Sequence, residues 1–142
     1  MFSFGEKRRK KKFKSEIEVI NGEIDRSQRF DFNFSILTVE VSHSIPRGLS
    51  KILPGNVVCF HLFKKHYRSY DKIIGPYWRR YYIVLPQTDK PGANIAKQRI
   101  AGLAEEHNWG EVSVGMAVFP EDGKDTDTLL EKAMSEIAMF PP

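Results

Sequence analysis

The chain has 142 residues, 41% hydrophobic and 28% charged, the size and balance of one soluble globular domain that needs no disulfide or metal staple. Its net charge of +4 is uneven: Lys7, Arg8, Arg9, Lys10, Lys11, Lys12 and Lys14 against Glu6 give residues 1–14 a charge of +6, which leaves −2 on the other 128. That division argues against a nucleic-acid-binding domain with a basic face, and no run reaches the ~18 apolar residues of a membrane span or forms the apolar core of a secretory signal.

Residues 1–14 therefore read as a solvated, disordered basic arm, with contact to nucleic acid or an anionic membrane through residues 7–14 as the alternative. Residues 15–142 form the expected domain, and a cytoplasmic setting is expected for it. From Phe13 to about Phe30, Ile17, Ile20 and Ile24 fall three and four apart among charged residues, the stripe of an amphipathic helix. Phe34 to Val41 is β-branched and apolar, as a buried strand is. Pro46, Gly48 and Pro54-Gly55 then punctuate the chain before a second helical run from Asn56 to about Tyr70. The lone Cys59 sits there in Val57-Val58-Cys59-Phe60, where a buried thiol in a reducing compartment is the expectation, not a nucleophile.

Lys72-Ile73-Ile74 and Tyr81 to Leu85 are strand-like and close enough for a hairpin turning around Trp78-Arg79-Arg80, with Pro86 ending it. Ala93, Ala96, Ile100 and Leu103 mark a third helix, and Val112, Val114, Met116 and Val118 alternate as a fourth strand. After Glu121-Asp122-Gly123, Thr126 or Asp127 would cap a last helix carrying Leu129, Leu130, Ala133 and Ile137. The order predicts an α+β fold in which helices cover an antiparallel central sheet.

Three of these segments resemble strands of the GGDEF (diguanylate cyclase) family: Phe34-Ser35-Ile36-Leu37-Thr38-Val39-Glu40-Val41, Tyr82-Ile83-Val84-Leu85-Pro86-Gln87-Thr88-Asp89 and Val112-Ser113-Val114-Gly115-Met116-Ala117. Phe119-Pro120-Glu121-Asp122-Gly123 and Leu129-Leu130-Glu131-Lys132-Ala133 resemble the loop and helix that close that domain, so the likeness covers roughly residues 34–138. It implies a nucleotidyl-cyclase-like fold with a ferredoxin-like core.

The five positions of the Gly-Gly-Asp/Glu-Glu-Phe signature hold Tyr77-Trp78-Arg79-Arg80-Tyr81. In the family the glycines admit the substrate backbone and the carboxylate holds metal. Here Tyr77 and Trp78 would crowd that approach, and Arg79 sets a cation where a divalent metal needs an anion. The other metal carboxylate aligns with Glu40, while its second acidic position is Ser42. The guanine-reading stretch is replaced by Ser44 to Lys51, in a segment about four residues shorter than usual. Phosphoryl transfer depends on positioning and metal charge, so the resemblance implies a degenerate domain without cyclase activity and without a cofactor or metal.

Many family members also carry an inhibitory site for their product, an Arg-x-x-Asp ahead of the signature hairpin with an Arg on the following helix. Arg68-Ser69-Tyr70-Asp71 stands in that register, Asp71 six residues before Tyr77, and Lys97-Gln98-Arg99-Ile100 puts Arg99 at the helper position. Gly75 replaces an Arg common there, beside Pro76. A guanidinium can donate to the O6/N7 edge of guanine or grip phosphate, and a carboxylate can accept from the opposite edge. The resemblance thus implies an intercalated cyclic di-GMP dimer at Arg68 and Asp71, on the end of a helix, with Arg99 across a groove. The ordinary reading of the same spacing is a surface i,i+3 ion pair worth ~0.3 kcal/mol, whose loss through Asp71→Asn would hardly move thermal stability.

His43, His61, His66 and His107 lack metal-ligand spacing. Tyr77, Trp78, Tyr81 and Tyr82 with Arg79 and Arg80 read as a packed hairpin edge before a base-stacking surface. Two functions lead, a non-catalytic cyclic di-GMP receptor that signals to an unidentified protein partner and a pseudoenzyme scaffold that binds proteins and no nucleotide, ahead of an enzyme using GTP in an altered way, which Arg79 opposes.

Overall fold

The computed structural model describes residues 15–41, 65, 67–77, 80–107 and 111–137. The basic arm, Cys59, His43, His61, His66, Trp78, Arg79 and most of the helix expected over 56–70 lie outside the described residues.

Helix α1 (Glu16–Phe30) starts on Ser15, whose hydroxyl accepts from Glu18 N, and ends at Asp31, which turns left-handed at φ 55°. Strand β1 (Phe34–Val41) follows, then β2 (Lys72–Tyr77) and β3 (Arg80–Pro86) as a hairpin. Helix α2 (Lys90–Glu106) is capped by Asp89, with Pro91 in its first turn. Strand β4 (Val112–Phe119) and helix α3 (Thr126–Ser135) complete the described elements. The cap of α3 is Asp125, which accepts from Thr128 N, and neither Thr126 nor Asp127. Thr126 is instead buried, its hydroxyl bonded to Asn21 of α1.

The four strands form one antiparallel sheet in the order β2-β3-β1-β4, the ferredoxin-like arrangement. Side-chain alternation divides its core in two. Leu37, Val39, Tyr81, Ile83, Leu85, Val114 and Met116 pack with α2, through Ala93, Ala96, Ile100 and Leu103. Phe34, Ile36, Val84, Ala117 and Phe119 pack on the other face with Ile20 and Ile24 of α1 and Leu129 and Ala133 of α3. The last turn of α3 lies so close to β4 that a Cβ on Gly115 would fall 1.8 Å from the Ala133 carbonyl oxygen.

The α1 stripe differs from the expectation. Ile17 is 46% exposed, one turn beyond the packed part of the helix, whereas Glu23 and Ser27 are buried beside Ile20 and Ile24. The Glu23 carboxylate stays within 3.7 Å of Arg26 and 3.8 Å of Lys72, two half-exposed cations that lend it charge balance. Ile137, expected on α3, falls after its end. Among the described residues no helix is long and apolar enough to cross a membrane.

Candidate functional site

The sheet has two polar ends, and each contains an arginine paired with a carboxylate. At the end where β1 begins and β3 finishes, residues 68–71 form a turn and not the helix end expected there, closed by Asp71 N on Arg68 O at 3.1 Å. The Asp71 carboxylate folds back into that turn: Oδ2 accepts from Arg68 N at 2.9 Å and Nε at 3.3 Å, and Oδ1 accepts from Nη2 at 3.1 Å. Its side chain is only 2% exposed, against 42% for Arg68, so the surface pair expected from the spacing is half sunk into the fold.

Arg68 reaches further. Its Nη2 donates to Thr88 Oγ1 at 2.7 Å and to Pro86 O at 3.4 Å, while Thr88 Oγ1 donates to Pro86 O at 2.9 Å. Ser35 Oγ on β1 donates to Thr88 O at 2.8 Å, which carries the network from the turn through the end of β3 to the buried start of β1. Burial works against the Arg68 charge, but hydrogen bonds and field from Asp71 outweigh it and raise the guanidinium above its ordinary pKa. The guanidinium carbon lies 4.5 Å from the centre of the Tyr70 ring, a cation–π stack.

The neighbouring residue ties down α2. Tyr67 Oη donates to Ala96 O at 3.0 Å, and burial raises its pKa well above the ordinary value, with the nearby Arg99 charge pulling partly the other way. Together these groups border a cleft of about 250 Å³ that Arg68, Asp71 and Arg99 all line, with Tyr67, Thr88 and Ile95. The three residues singled out by spacing are therefore on one cleft. The Arg99 side chain makes no hydrogen bond or ion pair with a described residue, and it lines that cleft.

Sequence reasoning missed Thr88, Ser35, Tyr67 and Tyr70. The available signal was Leu85-Pro86-Gln87-Thr88-Asp89, where a strand ends, Gln87 turns left-handed at φ 51° and Asp89 caps the next helix. So tight a connection puts Thr88 beneath the turn that precedes β2.

At the other end of the sheet Glu40 and Arg80 are direct cross-strand partners, and Arg80 lies in β3 and not in the hairpin turn. Arg80 Nε donates to Glu40 Oε1 at 3.1 Å, and Nη2 lies 3.0 Å from the same oxygen as an ion pair. Burial would lower the Arg80 pKa, but Tyr82 and Glu40 raise it overall. Tyr81 points the opposite way and is buried in the core under α2. Tyr77 pairs with Arg80 through its backbone. Gly75 has φ 116° at the register shift between Ile74 and Tyr77, a conformation any L side chain would strain. Among the described residues no three His, Cys, Asp or Glu side chains converge as a metal site.

No protein-family model matches this chain, and no curated protein matches it. Solved structures do. A diguanylate cyclase protein from Thermotoga maritima superposes with a TM-score of 0.68 at 14% identity, over 85% of this chain and 90% of that one. The active GGEEF domain of a diguanylate cyclase from Vibrio cholerae gives 0.65 at 16% identity, over 82% and 81%. The diguanylate cyclase SiaD from Pseudomonas aeruginosa, in complex with its activator SiaC, gives 0.67 at 17% identity over 84% of this chain, which spans 50% of SiaD. The chain has the fold of a GGDEF domain.

Proposed function

We propose that this chain is a non-catalytic receptor for cyclic di-GMP, which it holds at the cleft of Arg68, Asp71 and Arg99. The observation that carries the proposal is convergence: an arginine and a carboxylate on one turn, and a second arginine from a helix 28 residues after that carboxylate, line a single cleft. A cleft with two guanidinium groups suits a ligand that combines phosphates with flat, polar bases.

The second half of the proposal, that no cyclase chemistry remains, is supported by the pairing of Glu40 with Arg80. A carboxylate occupied by a guanidinium is a poor ligand for a divalent metal, and Tyr77-Trp78-Arg79-Arg80-Tyr81 supplies no acidic side chain to replace it. A protein partner belongs to the same reading. SiaD, of like fold, is in complex with an activator, and a receptor without an activity of its own acts by changing what it binds.

Calorimetry with cyclic di-GMP tests the binding, and incubation with GTP and Mg²⁺ or Mn²⁺ tests the missing activity. Binding without product is the expected result. Product above a no-protein control would overturn the non-catalytic reading. The scaffold reading is favoured by one observation, that Asp71 already has both oxygens engaged within the chain, and it takes over if no heat is seen at high micromolar messenger.

A further inference from the structure

What the cleft can read in a ligand depends on which of its polar atoms are still open. Asp71 is 2% exposed at its side chain and gives both carboxylate oxygens to Arg68, so turning it toward a base would mean dismantling the turn. Nε and Nη2 of Arg68 are committed to Asp71, Thr88 and Pro86, while no described residue accepts from Nη1. The connection from β3 to α2 brings two more polar residues to the cleft, Gln87 and Asp89, both exposed. The Gln87 amide can donate or accept, so it suits either purine. Asp89 can only accept. As the cap of α2 it gives Oδ1 to Gly92 N at 3.0 Å, and its Oδ2 has no partner among the described residues.

The cap holds that open oxygen in place. Ala93 N is bonded to Asp89 O at 2.8 Å, and Gly92, itself on the cleft, puts no side chain beside the carboxylate: a Cβ there would stand 3.4 Å from Oδ1 and 2.9 Å from Thr88 Cγ2. A carboxylate tied at one oxygen and open at the other is oriented before any ligand arrives. The open groups then sort by kind. Arg68 Nη1 and the Arg99 guanidinium donate, and Asp89 Oδ2 accepts. Guanine matches that set, with acceptors O6 and N7 along one edge and the donors N1–H and exocyclic amine beside them. Adenine carries an amine in place of O6 and an unprotonated N1, so it turns a donor to the arginine and an acceptor to the carboxylate.

We infer that Asp89, through Oδ2, is the residue that selects guanine in this cleft, and that Asp71 is a positioning residue that fixes Arg68. This inference rests on the proposed function above. The guanine donors meet Asp89, and its O6 or N7 meets Nη1 of Arg68.

The test is calorimetry with cyclic di-GMP and cyclic di-AMP on the parent protein and on Asp89→Asn and Asp71→Asn. The parent should prefer cyclic di-GMP by at least about tenfold. Asparagine caps a helix as well as aspartate does, and Gly92 N claims the amide oxygen, so the new NH₂ takes the place of Oδ2 and faces the guanine donors. Asp89→Asn should therefore keep the parent's melting temperature, bind cyclic di-AMP no more weakly, and cut the preference to within about threefold. Asp71→Asn should weaken both dinucleotides by a like factor and keep the preference. A parent without a preference, or Asp89→Asn with the parent's preference, would sink the inference and leave the receptor proposal standing. Loss of the preference in Asp71→Asn would do the same, by returning the choice of base to Asp71. Absence of binding to either dinucleotide would overturn both.

Discussion

Each end of the sheet holds an arginine and a carboxylate at hydrogen-bond distance, yet the two pairs are built differently. Glu40 and Arg80 face one another across adjacent strands, 18% and 30% exposed, and Arg80 joins one carboxylate oxygen through an Nε hydrogen bond and an Nη2 ion pair. Asp71 and Arg68 share a turn, with Asp71 almost wholly buried and the guanidinium tied onward to Thr88 and the end of β3. The first pair neutralises two charges where the strands run out. The second organises a surface: it fixes an arginine in one orientation beside a cleft that a third charge, Arg99, enters from another element. A salt bridge whose two members both keep some contact with water contributes less than one with a wholly buried member, which constrains everything it touches.

Removing the buried carboxylate is the most direct way to break that contrast. Asp71→Ala leaves the Arg68 donors and the turn's backbone N–H without their acceptor, and should cost about 3 kcal/mol in a chemical-denaturation experiment, the low end for a buried pair because Arg68 is partly solvated. Asp71→Asn should cost about 1–2 kcal/mol, since one oxygen can still accept. A loss below about 0.5 kcal/mol for Asp71→Ala would return the pair to the class of ordinary surface bridges. Thr88→Val probes the onward link: it removes the acceptor that Arg68 uses at 2.7 Å while conserving shape, and should cost about 1–1.5 kcal/mol. An unchanged melting curve would mean that Arg68 does not depend on β3 for its orientation.

That Asp71 is buried was not legible in the sequence, and the reason is physical. Spacing places Arg68 and Asp71 in the right register, but four residues that read as the last turn of a helix instead close on themselves, because the carboxylate caps Arg68 N. The elements themselves were legible: β1, the hairpin strands, α2 and β4 follow from β-branched alternation and from Ala93, Ala96, Ile100 and Leu103 at helical spacing. Glu23 was illegible for the opposite reason. Nothing local marks a glutamate for burial when its neutralising lysine lies on a strand 49 residues away. Of the cleft, the charged corners could be named beforehand, while the bond of Tyr67 to Ala96 in its wall, and that of Ser35 to Thr88 behind it, join residues that only the tertiary fold brings together.

The half-buried pair at the other end should respond less, since neither of its members is as deeply buried as Asp71. Arg80→Met keeps the aliphatic stem and removes the charge, and should change stability by less than about 1 kcal/mol, against the larger cost at Asp71. A loss of about 3 kcal/mol would make the two ends energetically alike and erase the contrast.

The smallest effect on folding and the most selective one on binding are expected at the same residue. The Arg99 side chain holds no hydrogen bond or ion pair with a described residue, and its one resolved influence is the pull its charge exerts on Tyr67. Arg99→Ala should therefore leave stability within about 0.5 kcal/mol of the parent. If its cation serves the cleft, cyclic di-GMP affinity should fall several-fold at low salt, and the deficit should shrink as added salt screens the lost attraction, because the Debye length drops from about 10 Å at 0.1 M to about 3 Å at 1 M. Arg99→Gln should behave the same way, which separates charge from side-chain volume. Calorimetry at three salt concentrations reads the slope. A deficit that persists undiminished at 1 M salt would assign Arg99 to a packed, directional contact, and an affinity equal to the parent's at every salt would remove it from the site.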